Sequence, residues 1–170
     1  MKANVETCLG LFEVTFSSKG LVSVVFPNGE NERMLPNDLE FPSKEDFELW
    51  LGITSRALRN FMEGIEPSEL PPFDLSLGTP FQQEVWNKLL EIQWGEVWTY
   101  ARLGRELGKP NGARAAGSAC GANPIPVLIP CHRVLSSSGG LCGFTAGLPW
   151  KQRLLELEGA WLPLKSASAA

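Results

Sequence analysis

Residues 98–124, "WTYARLGRELGKPNGARAAGSACGANP", constrain the fold more than any other stretch of the chain. Thr99 is a suitable N-cap for a short helix that ends before the turn "GKPNG". A second helix begins at Asn111 or Gly112 and runs to about Ala122. Two short helices joined by a glycine-containing turn are the layout of a helix-turn-helix.

The second of these helices is built almost entirely from alanine, glycine and serine, and Arg114 is its only charged residue. Small residues permit close packing against a neighbouring helix, which is one explanation. They also let the backbone approach a nucleic-acid groove while one arginine reaches in. A helix that reads bases in the major groove needs several long polar side chains, so any DNA contact here is expected in the minor groove.

The first half of the chain has the pattern of a small α/β unit. "LGLFEVTF" and "LVSVVF" are β-rich runs around a short turn that contains Gly20, which predicts a hairpin. Ser43 is a natural N-cap for a helix over "KEDFELWLGITSRALRNFMEGI", with Phe47, Leu58 and Phe61 among its apolar positions.

A loop rich in proline and acid, "EPSELPPFDLSLG", separates this unit from the second half and is the best domain boundary. After it, Thr79 as N-cap, Pro80 at the first helical position and Gln82 three residues after the cap predict a helix start. The expected domains are therefore residues 1–77 and residues 78–163, followed by a disordered tail at residues 164–170.

Charge, cysteines and hydropathy bound the class of protein. Residues 1–78 carry 6 Lys+Arg against 13 Asp+Glu, whereas residues 79–170 carry 9 against 6, which fits either an ordinary solvated surface or a C-terminal half that meets an anionic partner. The 4 widely spaced cysteines and the start "MKANVETCLGLF" indicate a cytoplasmic protein with reduced thiols, and no stretch is apolar enough to span a membrane.

The segment "NPIPVLIPCHRV" contains the chain's only histidine, His132, directly after Cys131. Zinc needs about four ligands at compact spacings, so no metal site is expected. A buried, inert cysteine is the usual state of a free one. The prolines, however, favour an exposed edge or the wall of a site, and His132 and Arg133 supply the neighbours that a nucleophilic thiol requires.

Two uses of this pair remain open on the residues alone. Adjacent side chains in a strand point to opposite faces, so Cys131 and His132 can cooperate only through a turn or a bridging water. A cysteine hydrolase would use the same pair with Asn123 or Glu158, although its histidine usually comes from a distant segment and an oxyanion hole is not visible. The other alternative is a non-catalytic DNA-damage binder or regulator that uses the same two helices.

"IPCHRV", preceded by "ARAAGSACGANPIPVL" and followed by "SSSGGLCGFTAGLPWKQRLLELEG", closely resembles the O6-alkylguanine-DNA alkyltransferases, also called methylated-DNA-protein-cysteine methyltransferases. The resemblance covers about Thr79 to Gly159, including "GEVWTYARLGRELG". It implies an α/β protein in which a ribonuclease-H-like module precedes a mostly helical domain with a helix-turn-helix and the active-site cysteine.

The resemblance implies direct reversal of O6-alkylguanine damage in double-stranded DNA by a monomer without a cofactor. O4-alkylthymine is a second substrate to test. Cys131 would accept the alkyl group, and His132, oriented by Glu158, would draw off the thiol proton through a water. Asn123 would brace the turn, and Tyr100 would protonate guanine N3.

The resemblance also implies a substrate pocket and a DNA surface. The Cys131 and Val134 carbonyls would recognise the guanine amino group, and the Thr145 amide would bind near O6. The pocket residues would be Val134, Phe144, Thr145 and Pro126. The DNA-contacting residues would be Arg114, which fills the space of the flipped base, Tyr100, Ser137, Thr99, Ala115 and Gly117.

Two residues depart from the family pattern. Relatives usually have a tyrosine where this chain has Phe144, so a hydroxyl near the leaving group is absent and slower or altered chemistry is expected. Cys142 stands where threonine or glycine is more usual, either as a packing residue or as a second reactive thiol.

Overall fold

A small antiparallel sheet begins the structure, a computed structural model that describes residues 1–29 and 31–161. Its strands are β1 (Lys2–Thr7), β2 (Gly10–Ser17) and β3 (Gly20–Val25), paired in the order β1-β2-β3. The predicted hairpin is therefore confirmed, and β1 was not predicted. The inward faces of these strands are rich in valine and phenylalanine, which favour a half-buried pleated surface.

Helix α1 (Lys44–Met62) packs against β1 and starts at the predicted cap, because the Ser43 hydroxyl accepts a hydrogen bond from the Asp46 amide. Helix α2 (Pro80–Leu89) begins with a complete capping box: the Thr79 hydroxyl accepts from the Gln82 amide, and the Gln82 side chain accepts from the Thr79 amide.

The predicted pair of helices is present as α3 (Tyr100–Glu106) and α4 (Ala113–Gly121). Thr99 caps α3 through its hydroxyl, and Gly112 is the N-cap of α4. Gly104 permits the close approach of the connecting turn, since a Cβ there would lie 2.9 Å from the Lys109 carbonyl oxygen. The turn is closed by a hydrogen bond from the Lys109 amide to the Gly104 carbonyl.

A short parallel pairing positions the "IPCHRV" segment against these helices. Strand β4 (Trp98–Thr99) pairs with β5 (Val134–Leu135), so the residue before α3 is held beside the end of the Cys131–Arg133 3₁₀ turn. Helix α5 (Leu148–Leu157) packs against that turn and also contacts α1. This pairing was not visible in the sequence, because each strand has only two residues.

One apolar core runs through both halves of the chain. Phe12 of β2 and Phe26, which directly follows β3, pack against Trp150 of α5, with ring centroids 5.8 and 4.8 Å from the Trp150 ring. The loop expected to separate the halves lies against β3. The Leu21 amide donates a hydrogen bond to the Pro72 carbonyl, and the Leu21 carbonyl accepts one from the Asp74 amide. The expected tail at 164–170 and the last two residues of the expected second domain lie outside the described residues.

The architecture is a mixed α/β fold with a small antiparallel sheet and five α-helices among the described residues, as predicted. In the same part of the chain, no helix combines the length and apolar character needed to cross a bilayer.

Candidate active site

The segment from residue 125 to residue 135 is buried along its whole length, so of the two positions expected for it, an exposed edge or the wall of a site, the exposed edge is wrong. Residues 125–133 are not a strand: the Ile129 amide donates to the Ile125 carbonyl, the Cys131 amide donates to the Ile129 carbonyl, and Cys131–Arg133 form a 3₁₀ turn that leads into β5. Its prolines can be buried because the segment meets its hydrogen bonds internally rather than through a sheet ladder. Cys131 and His132 are therefore consecutive residues of a 3₁₀ turn and not of a strand.

The Asn123 side chain brackets this segment, meaning that it forms hydrogen bonds with residues at both ends of the loop 125–131. Its side-chain oxygen accepts from the Ile125 amide at 3.0 Å, and its side-chain nitrogen donates to the Ile129 carbonyl at 2.8 Å and to the Cys131 sulfur at 3.2 Å. Val127, inside the bracketed loop, has φ of 76°, a left-handed conformation that costs a β-branched residue about 1 to 3 kcal/mol. The buried amide of Asn123 therefore fixes both the loop and the Cys131 sulfur.

His132 lies in a fully buried charged network. Its Nε2 atom is 2.7 Å from the Glu158 carboxylate, which also accepts two hydrogen bonds from Arg133 Nε and one from Arg133 Nη2. Burial raises the pKa of Glu158, but the hydrogen bonds and charges of His132 and Arg133 outweigh it, so the pKa is lowered overall. An ionised carboxylate can only accept, so Nε2 carries a proton.

The other ring nitrogen, Nδ1, is consequently a bare acceptor. It is buried and has no hydrogen-bond partner among the described residues. Burial lowers the pKa of His132 despite the opposing effect of Glu158, with Arg133 and Lys151 adding to the lowering. The ring is thus a neutral base with one free lone pair, next to Cys131 in the chain.

The Cys131 side chain is only 6% exposed, and burial raises its thiol pKa. Four interactions oppose that rise: the hydrogen bond from Asn123, the ammonium of Lys151, a hydrogen bond with the backbone of Cys131 itself and the guanidinium of Arg33. The thiol is accordingly protonated at rest and surrounded by groups that favour its anion. Such a sulfur needs a base at the moment of reaction.

An open cleft of about 780 Å³ lies between α3, α4 and the loop before α5. Six of the predicted substrate and DNA residues line it: Tyr100, Arg114, Gly117, Ser137, Phe144 and Thr145. Cys142 lines it as well.

The remaining predicted residues do not line this cleft. Val134 and Pro126 are buried, and Val134 accepts a hydrogen bond from Lys151 at its carbonyl instead. Thr99 is occupied as the cap of α3, and Ala115 is exposed on another part of α4. Cys131 itself is buried rather than part of the lining.

Tyr100 and Phe144 form walls of the cleft. A side chain at Gly117 would lie 3.6 Å from the Tyr100 ring, so α4 packs closely on that ring. Burial raises the pKa of Tyr100, with the nearby thiols adding to the rise, which keeps its phenol protonated. The Phe144 ring packs on Phe26 at 5.9 Å, so its position depends on the N-terminal sheet.

Two residues of the site were missed by the sequence reasoning. Lys151 of α5 is 0% exposed and donates to the Val134 and Cys142 carbonyls at 2.7 and 3.0 Å. Arg33, from the N-terminal half, donates to the Ala122 and Gly121 carbonyls at 2.7 and 2.8 Å, at the end of α4. An isolated basic residue in an amphipathic helix or loop carries no sequence signal that distinguishes it from a surface residue.

Comparison with known proteins agrees with this geometry. The family model described as the DNA-binding domain of 6-O-methylguanine DNA methyltransferase matches residues 80–160. A methylated-DNA–protein-cysteine methyltransferase of Methanosarcina acetivorans is 37% identical over 158 residues, which cover 91% of this chain and 96% of the relative. The chain belongs to the methylated-DNA–protein-cysteine methyltransferase family, and the identification made from "IPCHRV" is confirmed.

Solved structures show the same fold. The Mycobacterium tuberculosis protein OGT, crystallised in complex with DNA, is 32% identical, has a TM-score of 0.71, and the match covers 91% of this chain and 90% of that one. The O6-methylguanine-DNA methyltransferase of Pyrococcus kodakaraensis is 25% identical with a TM-score of 0.61, covering 94% and 99%. The predicted α/β fold class is confirmed.

Proposed function

We propose that this protein repairs DNA by transferring the alkyl group of O6-alkylguanine to Cys131, once per molecule. The observation that carries the proposal is the arrangement of a sulfur held by Asn123 beside a neutral histidine, whose Nε2 faces Glu158 and whose Nδ1 is a free acceptor. Membership of the family supports the same reaction.

The transfer is a substitution at carbon. The Cys131 thiol proton passes to His132 Nδ1 through a bridging water, because the adjacent side chains on a 3₁₀ turn do not face one another. The sulfur then forms a bond to the alkyl carbon while the bond from that carbon to O6 breaks. The electron pair of the broken bond stays on the purine, which takes a proton at N3 from the Tyr100 phenol.

The product is a thioether, which offers water no activated carbonyl. Cys131 is therefore not regenerated, and one protein molecule removes one alkyl group. A reduced thiol is essential for this role. The 4 free cysteines are consistent with a cytoplasmic location, where thiols stay reduced.

The DNA surface is formed by α3, the turn and α4, acting as a helix-turn-helix in the minor groove. The small residues of α4 let the protein main chain approach the duplex. The DNA phosphates are contacted by Ser137, Thr99, Ala115 and Gly117. A base inside a duplex is unreachable, so the alkylguanine is flipped into the cleft. Residues 78–163 form the DNA-binding and active-site domain, and residues 1–77 form a supporting module. The whole protein acts as a monomer.

Arg114 is expected to fill the space left by the flipped base. Its side chain is exposed at the mouth of the cleft and makes no hydrogen bond or ion pair with another described residue. Because flipping costs a few kcal/mol, Arg114→Ala should slow repair of duplex DNA by about 10- to 100-fold. Reaction with the free O6-alkylguanine base should be nearly unchanged, as measured by single-turnover transfer rates.

The control for Arg114 is Arg105→Ala, which removes an exposed cation of α3 that does not line the cleft. It should affect duplex repair only slightly. Equal losses for duplex and free base in Arg114→Ala would remove Arg114 from the flipping role.

Phe144 lacks the hydroxyl that relatives usually place near the leaving group. Phe144→Tyr is expected to increase the single-turnover transfer rate by supplying a hydrogen-bond donor at the cleft wall, while leaving DNA affinity unchanged. An unaltered rate would dismiss the idea that Phe144 limits the chemistry.

The test of the function is to incubate the protein with an oligonucleotide duplex that carries O6-methylguanine and to measure intact mass. The expected result is a gain of one methyl group per protein, located on the peptide that contains Cys131, with no further gain in excess substrate. DNA binding without a mass gain would favour a binder or regulator, and turnover of an ester or amide would favour a hydrolase. An O4-methylthymine duplex tests the second substrate.

A further inference from the structure

Lys151 is a buried cation that the reaction described above does not use. Its side chain is 0% exposed, and its ammonium donates to the carbonyls of Val134 and Cys142. Among the described residues no carboxylate pairs with it, because the nearby buried carboxylate, Glu158, is bound to His132 and Arg133. A buried charge is costly unless an opposite charge accompanies it.

The acidic groups around this ammonium are thiols and a phenol. Cys131 on the 3₁₀ turn, Cys142 on the loop before α5, and Cys120 on α4 all interact with its charge, and the Tyr100 ring centroid of α3 is 5.8 Å from Nζ. Burial lowers the pKa of Lys151, and the three cysteines oppose that effect, Cys131 most strongly.

Cys131 is the thiol that becomes an anion before the alkyl group is transferred. Burial raises the pKa of Cys120 and of Tyr100, so both are protonated at rest, and Tyr100 gives up its proton only to the departing purine. Cys131 differs because its sulfur also receives a hydrogen bond from Asn123, and the charge of Arg33 adds a smaller lowering of its thiol pKa. The other titratable neighbour, His132, is held neutral within its network with Glu158.

We propose that Lys151 is a positioning residue for alkyl transfer, and that its buried ammonium is the counter-ion of the Cys131 thiolate. This inference rests on the proposed function. When the thiol proton leaves for His132, negative charge develops on sulfur in a buried site, and the Lys151 ammonium stabilises it without gaining or losing a proton. The same ammonium holds the Val134 and Cys142 carbonyls, so it joins the turn that carries the sulfur to a wall of the cleft.

The experiment measures how the alkylation rate of Cys131 by iodoacetamide depends on pH, quantified on the peptide that contains Cys131. Iodoacetamide reacts with the thiolate and needs no DNA. Lys151→Met should raise the midpoint of the profile by about one pH unit or more, and so slow alkylation about tenfold at pH 7, with the loss shrinking as pH rises. Lys151→Arg should keep the midpoint of the wild type.

Two references accompany these variants. Arg153→Met removes an exposed cation of the same helix and should leave the midpoint unchanged. The exposed Cys8, followed in the same samples, reports the reagent's intrinsic pH dependence. A Lys151→Met protein that is slower by the same factor at every pH, with an unshifted midpoint, would show a purely structural role and overturn the proposal.

A second measurement covers the case in which Lys151→Met does not fold. The ¹³Cε resonance of Lys151 is titrated by NMR in the wild type and in Cys131→Ser. A counter-ion pair requires that Lys151 lose its proton at lower pH in Cys131→Ser, and equal midpoints would contradict the pairing. Neither readout depends on methyl transfer, so failure of the repair reaction and failure of this pairing are distinguishable.

Discussion

Cys131→Ala is expected to abolish methyl transfer completely while leaving DNA binding intact. The proposed acceptor is the Cys131 sulfur, to which the Asn123 side chain donates a hydrogen bond at 3.2 Å. Helices α3 and α4, which we propose face the DNA, do not include Cys131, so affinity for a duplex should change little. Intact mass after incubation with O6-methylguanine DNA, together with a gel-shift titration, checks both parts.

Cys142→Ala is the matched control, because Cys142 lines the cleft whereas Cys131 lies buried next to His132. This variant should accept one methyl group as the wild type does. A methyl group found on Cys142 in the Cys131→Ala protein would identify Cys142 as a second acceptor and would contradict the assignment of a single acceptor.

Glu158→Ala is expected to lower the free energy of unfolding by about 3 to 5 kcal/mol, the usual cost of removing one partner from a buried ion pair. The Glu158 carboxylate is 0% exposed and accepts from His132, from Arg133 and from the Gly95 amide. Its loss leaves the Arg133 guanidinium buried without a counter-ion. Urea denaturation at neutral pH measures the effect.

The control for Glu158 lies two residues earlier on the same helix. Glu156 is partly exposed and contacts Gln152 at 2.8 Å and Arg153 at 3.8 Å, so Glu156→Ala should cost less than about 1 kcal/mol. Comparable losses in the two variants would mean that helix α5, and not the buried network, determines the result.

The contribution of Glu158 should also depend on pH. Its pKa in the folded protein is lowered from the ordinary value of 4.5, so it stabilises the fold fully above that value. The stabilisation is lost as pH falls through the lowered pKa. The difference in unfolding free energy between wild type and Glu158→Gln should therefore shrink in acid, and a difference that is constant with pH would contradict this origin.

Several local features of the fold could be predicted because they depend on neighbours in the chain. The caps at Ser43, Thr79 and Thr99 each satisfy an amide three residues away, and the α3–α4 turn depends on glycines within it. The "IPCHRV" motif identified the family for the same reason, since its signal lies in contiguous residues.

The features that the sequence did not reveal join residues far apart in the chain. The β4–β5 pairing has two residues per strand, too few for any periodicity, and the burial of the proline-rich segment depends on the Asn123 bracket rather than on its own composition. The prolines suggested an exposed edge because their lack of an amide donor is usually accommodated there.

The sequence by itself determined the family and the helix starts at Ser43, Thr79 and Thr99, and it singled out Cys131 as the proposed acceptor, because capping patterns and the family motif consist of adjacent residues. Only the tertiary structure decided which charges surround that sulfur. Arg33 lies in a loop and Lys151 in an ordinary amphipathic helix, and each meets the site solely through folding. Electrostatic interactions act through space, so their effect on the Cys131 thiol depends on distance and burial, which the order of residues does not specify.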